Sequence, residues 1–204
     1  MTTWFTSDHH FGHFNIIKYC NRPFNSVGHM HAMMESCWNA AVDPGDTVYY
    51  LGDFAMNPRM VPEILRNLNG TKILIAGNHD KCHSGTPRWV EHYLAAGFDS
   101  VQTEMDMEIA GENVLLHHFP YRNEADPNQK HFAQRSVDQG RWLIHGHVHD
   151  RWKVVKKQIN VSVEVWDFSP VSLETLEQLI KAGPQIPTEP VVGEYGAEIK
   201  SGGV

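Results

Sequence analysis

The stretch "KILIAGNHD", residues 72–80, sets the interpretation of the whole sequence. A short and largely apolar run is followed at once by a glycine and by Asn78, His79 and Asp80, which can all bind metals or move protons. An apolar run of this length, bounded by a glycine, is typical of a buried β-strand. In open α/β folds, sites form beyond the carboxyl ends of the strands. The stretch therefore predicts a strand that ends at a functional site.

Several other predicted strands end in the same way. "TTWFTS" (residues 2–7) leads into Asp8-His9-His10, "TVYYL" (47–51) leads into Gly52-Asp53, and a predicted hairpin of "EMDMEI" (104–109) and "VLLHHF" (114–119) ends at His117 and His118. A later strand begins the stretch "RWLIHGHVHD" (141–150), which contains His145, His147 and His149. Because sites gather beyond strand ends, we expect these clusters to meet although they lie far apart in the sequence.

The spacing within two of these clusters predicts how their side chains are directed. Alternate side chains of an extended strand point to the same face. We therefore expect Asp8 and His10 to share one face of their strand, and His147 and His149 to share one face of theirs. The glycine between the last histidines, Gly146, leaves room for a close approach of the backbone.

Segments with helical spacing of apolar residues lie between the strands. The helix after Ser26 has its apolar positions at Val27, Met30, Met34, Cys37, Trp38 and Ala41, and the helix after Ser172 has them at Leu173, Leu176, Leu179 and Ile180. Pro62 and Pro87 stand near the starts of two more helices. "KVVKK" (153–157) and "INVSVEV" (159–165) are predicted to be the last strands. The pattern predicts one α/β domain, residues 1–183, and a Pro- and Gly-rich extension, residues 184–204, that we expect to be mobile.

Composition excludes several classes of protein. The 204 residues carry a formal net charge of -7, which disfavours a general nucleic-acid binder because the phosphate backbone is also negative. No apolar run is long enough to span a bilayer, and the first residues show no signal peptide. Cys20, Cys37 and Cys82 fit neither a disulfide framework nor a zinc knuckle, so we expect free thiols and a cytoplasmic location. The oligomeric state is left open.

The donor atoms in the polar clusters are oxygen and imidazole nitrogen, without thiolate. This mixture suits zinc, manganese or iron rather than a soft metal. The clusters hold about twice as many donors as one tetrahedral ion requires. A carboxylate such as Asp53 can bridge two ions, and two ions about 3.5–4 Å apart can hold a hydroxide between them for an in-line displacement at phosphorus.

Together these residues carry a family resemblance. The set Asp8-x-His10, Gly52-Asp53, Gly77-Asn78-His79-Asp80, His118 and Gly146-His147-x-His149 resembles the calcineurin-like metallophosphoesterase superfamily, with all the blocks in the family's order. The neighbouring words "SDHHFGHFNIIKYCNRPF", "YLGDF" and "HGHVH" are similar to small single-domain members from bacteria and phages. The resemblance implies a four-layer α/β/β/α sandwich with a dinuclear metal site at the C-terminal ends of the strands.

The resemblance also implies a role for each residue. It implies a first metal held by Asp8, His10, Asp53 and His149, and a second metal held by Asp53, Asn78, His118 and His147. It further implies that the metals are two divalent ions, with manganese favoured and iron, zinc or nickel as alternatives. His79 is similar to the family's proton donor or transition-state stabiliser, and Asp80 is expected to orient it.

Two further residues are candidates for contact with the substrate, and each also has an alternative interpretation as an ordinary surface residue. His13 is similar to a residue of small family members that lies near the metals, where it could bind a phosphate oxygen or protonate the leaving group, and the alternative is a surface histidine at a helix start. Arg122 is a candidate phosphate contact, because arginine binds phosphate through two parallel hydrogen bonds, and the alternative is a solvated loop arginine. Lys130, His131 and Arg135 in the same loop are weaker candidates. His117 is predicted to be a core residue or to support a ligand from behind, His145 is predicted to be a hydrogen-bonded core residue, and His9 has no assigned role.

The predicted function is that of a metal-dependent phosphoric ester hydrolase. We expect a small phosphodiester, such as a cyclic nucleotide, to be the substrate, attacked by a hydroxide that bridges the metals. The alternative within this class is a phosphomonoesterase or nucleotide phosphatase. A catalytically silent binding scaffold is disfavoured because every ligand position of the family is filled. Among partners we expect a small phosphoester, with neither nucleic acid in general nor a membrane.

Overall fold

The computed structural model describes residues 1–123 and 128–186. Most of the predicted C-terminal extension, residues 187–204, lies outside this part, so its mobility stays a prediction. The first residues after the predicted boundary remain attached to the domain, because Gln185 and Lys156 exchange backbone hydrogen bonds of 3.1 and 2.6 Å. No helix in the described part combines the length and the apolar character needed to cross a bilayer.

The first sheet brings together the strands that precede three of the polar clusters. Its parallel strands are β1 (Thr3–Thr6), β2 (Thr47–Tyr50), β3 (Thr71–Ile75) and β4 (Ser100–Gln102), and a short antiparallel strand, β10 (Val171–Ser172), lies beside β1. In register, Thr6 pairs with Tyr50, and Tyr50 pairs with Leu74. Because β1, β2 and β3 are parallel neighbours, their carboxyl ends lie at one edge of the sheet.

The second sheet supplies the remaining clusters. It consists of β5 (Glu104–Ile109), β6 (Glu112–His117), β7 (Trp142–His145), β8 (Val154–Val155) and β9 (Gln158–Asn160), in the order β5-β6-β7-β9-β8. The predicted hairpin of β5 and β6 is confirmed. β6 and β7 are parallel, so the segments that begin at His118 and Gly146 leave the sheet side by side.

Two of the helices begin at the serines that the sequence predicts as capping residues. They are α1 (Ile16–Tyr19), α2 (Val27–Ala41), α3 (Val61–Asn67), α4 (Pro87–Ala96) and α5 (Leu173–Ala182). The Ser26 hydroxyl accepts a hydrogen bond from the backbone N–H of His29, and the Ser172 hydroxyl accepts one from that of Thr175. Each cap satisfies an N–H that the first helical turn leaves without a partner.

Two hydrophobic cores lie on the two faces of the first sheet. On one face, Met30, Met34 and Trp38 of α2 pack into a cluster with alternate residues of β2. On the other face, Phe5 and Leu51 belong to the cluster that includes the inward side chains of the second sheet and of α5. The first sheet is therefore buried between helices and the second sheet. The predicted fold class, an α/β sandwich with two stacked sheets, is confirmed.

One predicted strand is wrong over half its length. The stretch 159–165 was expected to be extended, but only the part up to Asn160 lies in β9, and Val163–Trp166 forms a 3-10 helix. The Asn160 side chain accepts a hydrogen bond from the backbone N–H of Ser162 and donates to the carbonyls of His149 and Trp152. These local bonds compete with sheet pairing and turn the chain.

Candidate metal centre

The segments after the strands have an unusual backbone. Asp8, His10, Asp53, His147 and His149 all have positive φ angles, between 51° and 71°. We expected Asp8 and His10 to share a face, and His147 and His149 to share another, because extended strands direct alternate side chains to one face. That reason is wrong, since none of these residues has an extended backbone. Each of these non-glycine residues costs on the order of 1 kcal/mol in the left-handed region, and such residues cluster at functional sites.

Glycines allow these segments to approach one another. A Cβ atom on Gly52 would lie 2.6 Å from the Cα atom of Gly77, and one on Gly146 would overlap the Asp8 carboxylate and the Ser7 hydroxyl. The ends of β2 and β3 are thus close enough that neither can carry a side chain at this point. These close approaches require glycine at Gly52, Gly77 and Gly146.

Asp8 uses its two carboxylate oxygens differently. Oδ2 accepts hydrogen bonds from the Ser7 hydroxyl at 2.6 Å and from the backbone N–H of His147 at 2.9 Å, which links the segments after β1 and β7. Oδ1 is buried, has no hydrogen-bond partner among the described residues and lies 3.9 Å from Nε2 of His10. Burial raises the pKa of Asp8, while His149 and His118 oppose that effect.

Asp53 shows the same division between its oxygens. Oδ1 accepts a hydrogen bond from the backbone N–H of His79 at 2.8 Å. Oδ2 lies 3.4 Å from Nε2 of His10 and 3.5 Å from Nε2 of His118, so one oxygen faces imidazoles from both sheets. Burial opposes ionisation of Asp53, but His118, His10 and His79 hold its pKa well below the ordinary value.

His118 and its neighbours form one side of the site. Nδ1 of His118 donates to the carbonyl of Leu51 at 2.7 Å, and Nε2 lies 3.2 Å from Oδ1 of Asn78. The donor atoms of Asp53, His118 and His147 lie within 4.8 Å of one another. Burial lowers the pKa of His118, but the neighbouring carboxylates raise it by more than burial lowers it, so that the pKa is about 9. This side of the site attracts positive charge.

His149 forms the other side, together with Asp8 and His10, again within 4.8 Å. Its Nδ1 donates to Glu164 at 2.9 Å, which directs Nε2 the other way. The Arg22 guanidinium holds Glu164 through bonds of 3.0 and 2.6 Å and also donates to the carbonyl of Asp8. The sequence analysis did not identify Glu164 or Arg22. The available signal was a lone acidic residue in the apolar run "VSVEV".

His79 lies beside the donors as expected, but Asp80 has other partners than the His79 ring. The His79 side chain is 33% exposed, and its Nε2 lies 4.0 Å from Oδ2 of Asp53. Asp80 is buried and accepts hydrogen bonds from the backbone N–H groups of Gly77, Asp53 and Phe54. Burial and Asp53 raise the pKa of Asp80, and these N–H groups oppose the shift. Asp80 therefore joins the segments after β2 and β3, and its carboxylate does not contact the His79 ring as we expected.

The remaining histidines near the site are mostly part of the core. Nδ1 of His145 lies 2.7 Å from the carbonyl of Gly146, and Nδ1 of His117 contacts the backbone of Phe119. Burial lowers the pKa of His145 to about 3 and that of His117 to about 4. His9 is also buried, and its Nδ1 is 2.9 Å from the Tyr50 hydroxyl. The predicted core positions of His117 and His145 are confirmed.

A cavity of about 160 Å³ opens onto the two groups of donors. Its walls include His10, Asp53, Asn78, His79, His147 and His149, together with His13, Lys130 and Arg151. His13 lies beside both His10 and His79, with ring centroids 5.4 and 6.3 Å away. Among the residues that the structure describes, those lining the cavity do not include Arg122, whose guanidinium lies 5.1 Å from the Phe132 ring. Its contact with phosphate stays a prediction.

Comparison with known proteins agrees with this geometry. Residues 1–177 match the model of the calcineurin-like phosphoesterase superfamily domain. An uncharacterized protein of Methanocaldococcus jannaschii is 34% identical over 192 residues, which cover 89% of this chain and 93% of its own. The gene 66 protein of Mycobacterium phage L5 is 31% identical over 80% of this chain and 87% of its own. The crystal structure of an Aquifex aeolicus protein of unknown function, 29% identical, superposes with a TM-score of 0.63 and covers 87% of this chain and 98% of its own.

The match extends over both sheets and includes every segment that contributes a donor to the site, from Asp8 to His149. By its sequence along most of its length, this chain belongs to the calcineurin-like phosphoesterase superfamily.

Proposed function

We propose that the protein is a phosphodiesterase that uses two divalent metal ions and acts on small phosphodiesters. The observation that carries the proposal is the position of Asp53. Its Oδ2 lies at nearly equal distances, 3.4 and 3.5 Å, from Nε2 of His10 and Nε2 of His118. A carboxylate oxygen in this position can serve both donor groups, as a residue shared between two ions must.

The donor set fits hard or borderline divalent ions. Asp8 Oδ1 and His10 Nε2 are buried in the site, and neither has a hydrogen-bond partner in the described part of the chain. Buried polar atoms of this kind are ordinarily satisfied by a bound ligand, water or ion. Asp8, His10, Asp53 and His149 would hold one ion, and Asp53, Asn78, His118 and His147 would hold the other. The oxygen and imidazole donors suit manganese, iron, zinc or nickel.

When bound, the two cations supply Lewis acidity and an activated water, and they stabilise charge on a phosphoryl group. His79 lies at the mouth of the site, where its partly exposed ring can donate a proton or a hydrogen bond to an oxygen of the substrate. His13 lines the same cavity beside it and is a second candidate for protonating the leaving oxygen. Asp80 holds the segment that carries His79, because it accepts a hydrogen bond from the backbone N–H of Gly77.

The surroundings of the site favour a small substrate over a polymer. The net charge of -7 works against long-range attraction of a polyanion. The cavity is lined by the cations Lys130 and Arg151, which suffice for one phosphate and its substituents. A diester also carries one negative charge where a monoester carries nearly two, so it requires less compensation beyond the metals.

The substrate class is tested by comparing kcat/KM for bis(4-nitrophenyl) phosphate, 4-nitrophenyl phosphate, cyclic AMP and single-stranded DNA. Each is assayed with protein loaded with manganese, zinc, iron or nickel. We expect the diester or the cyclic nucleotide to be cleaved best. A preference for the monoester would indicate a phosphatase, and a preference for DNA would indicate a nuclease. Absence of turnover with every metal would contradict the proposed function altogether.

We expect two metal ions per chain after loading with manganese, measured by elemental analysis. Asp53→Asn should reduce the stoichiometry to one or none, because the shared carboxylate is weakened toward both donor groups. His92→Asn is the matched control, since His92 bonds to the carbonyl of Pro58 away from the site. A saturating value of one ion in the wild-type protein would contradict the two-metal proposal.

Glu164→Gln should weaken metal binding by about 10–100-fold, the usual effect of losing the partner that orients a ligating histidine. The reason is that His149 and Arg22 both donate to Oε1 of Glu164, and the amide lacks the negative charge that holds them. Isothermal titration with manganese measures the effect, and the melting temperature of the metal-free protein separates it from unfolding. Equal affinities in both proteins would show that Glu164 supports the fold alone.

His79→Ala should keep both metals and lose turnover by about 10²–10⁴-fold, the range expected for one acid-base group. The His79 side chain is partly exposed and contacts the site from its mouth, so its removal leaves the buried donors in place. Metal content and kcat are measured on the same preparation. If metal content fell in parallel with kcat, His79 would be a ligand instead.

A further inference from the structure

One wall of the cavity beside the metal centre is apolar. It is formed by Ile16 and Tyr19 of α1, by Cys20 just after it, and by Val148 in the segment after β7. Ile16 and Val148 are almost fully buried, with 4% and 7% of their surface exposed. The polar donors of the metal centre and this apolar wall therefore line one continuous cavity, next to where a phosphate would lie.

Tyr19 differs from the other residues of this wall in its exposure. Its side chain is 63% exposed, and among the described residues it is the large exposed apolar side chain that lines the cavity. Its ring meets that of His13 at 78° with a centroid distance of 6.1 Å, so the contact is edge to face. In such a contact the His13 ring covers at most one face of the Tyr19 ring, so the other face is not used by this pair and can stack on a planar group.

Arg151 brings a second planar group to the same cavity. Its guanidinium lies 3.8 Å from the carboxylate of Asp150. Both side chains are partly exposed, so this ion pair contributes little free energy. Guanidinium groups stack on aromatic faces as well as binding phosphate. An alkyl substituent would gain only the burial of its surface against this wall, whereas a planar aromatic substituent can also stack on the Tyr19 ring or on the Arg151 guanidinium, which line the same cavity.

We propose that this wall binds the aromatic substituent of the substrate, a nucleobase, and that Tyr19 is a specificity-determining residue. The inference rests on the proposed function in one respect, since it places the phosphate of the substrate at the metal centre. It adds that the preferred small phosphodiester is a nucleotide, with its base stacked on Tyr19 and its phosphate among the metal ligands.

The chain offers a matched control in Phe14. This aromatic side chain is 57% exposed and lies five residues before Tyr19, but the cavity walls in the described part of the chain do not include it. The ammonium group of Lys18 lies 5.6 Å from its ring centroid. Phe14→Leu and Tyr19→Leu remove similar aromatic surface from similar exposed positions, so a difference between them reports the cavity alone.

The test is a calorimetric titration of the manganese-loaded protein with AMP and with ribose 5-phosphate, which lacks the base. Phosphorus NMR at the end of each titration verifies that the ligand is intact. We expect AMP to bind more tightly than ribose 5-phosphate to the wild-type protein. Tyr19→Leu should weaken AMP binding by about 5–100-fold, as expected for the loss of one stacked base, and leave ribose 5-phosphate within about two-fold. Tyr19→Phe and Phe14→Leu should bind AMP as the wild type does.

Equal binding of AMP and ribose 5-phosphate to the wild-type protein would overturn the inference, as would equal effects of Tyr19→Leu and Phe14→Leu. The titration needs no turnover, so the outcome is separate from that of the proposed function. Base-dependent binding without cleavage of any phosphoester would support the subsite and contradict the phosphodiesterase. Cleavage of diesters without discrimination at Tyr19 would do the reverse.

Discussion

A buried carboxylate stays ionised only if positive charge or hydrogen-bond donors surround it, and the site is arranged around this constraint at Asp53. One of its oxygens accepts a backbone hydrogen bond from His79, and the other lies between the imidazoles of His10 and His118. These partners come from the ends of different strands in both sheets. The need to compensate one buried charge therefore fixes how closely the two sheets approach at this edge.

Hydrogen bonds to other buried carboxylates hold the rest of the site in place. Asp8 gives one oxygen to the backbone of His147 and keeps the other directed into the cavity. Behind His149, Glu164 accepts from both the imidazole and the Arg22 guanidinium, so burial of that carboxylate is compensated as well. Each acidic side chain thus joins two segments of the chain, and a change at any one of them is transmitted to ligands on the other sheet.

In the function that we propose, substrate selection falls to segments outside the sheets. The donors of the metal centre come from strand ends, whose positions the sheets fix, while α1 and the segment after β7 supply Tyr19, Val148 and Arg151 to the cavity. A rigid frame carries the chemistry, and short segments of varied composition line the space beside it. Such a division would let one fold act on different phosphoesters with the same set of donors.

The sequence by itself determined the α/β class, the capped helices and the identity of the clustered donors, because hydrophobic periodicity and strand-end position are local properties. The extended backbone that the sequence predicted for Asp8 and His147 was wrong. Their left-handed conformations depend on contacts between segments rather than on neighbours in sequence. Only the tertiary structure decided that Glu164 supports His149, and that, in the part of the chain that the structure describes, Lys130 and Arg151 line the cavity and Arg122 does not. Arg22 and Glu164 are 142 residues apart in sequence, and nothing in the local pattern of either one specifies their contact. Packing of two sheets against each other creates such pairs, so the physical reason lies in the fold as a whole.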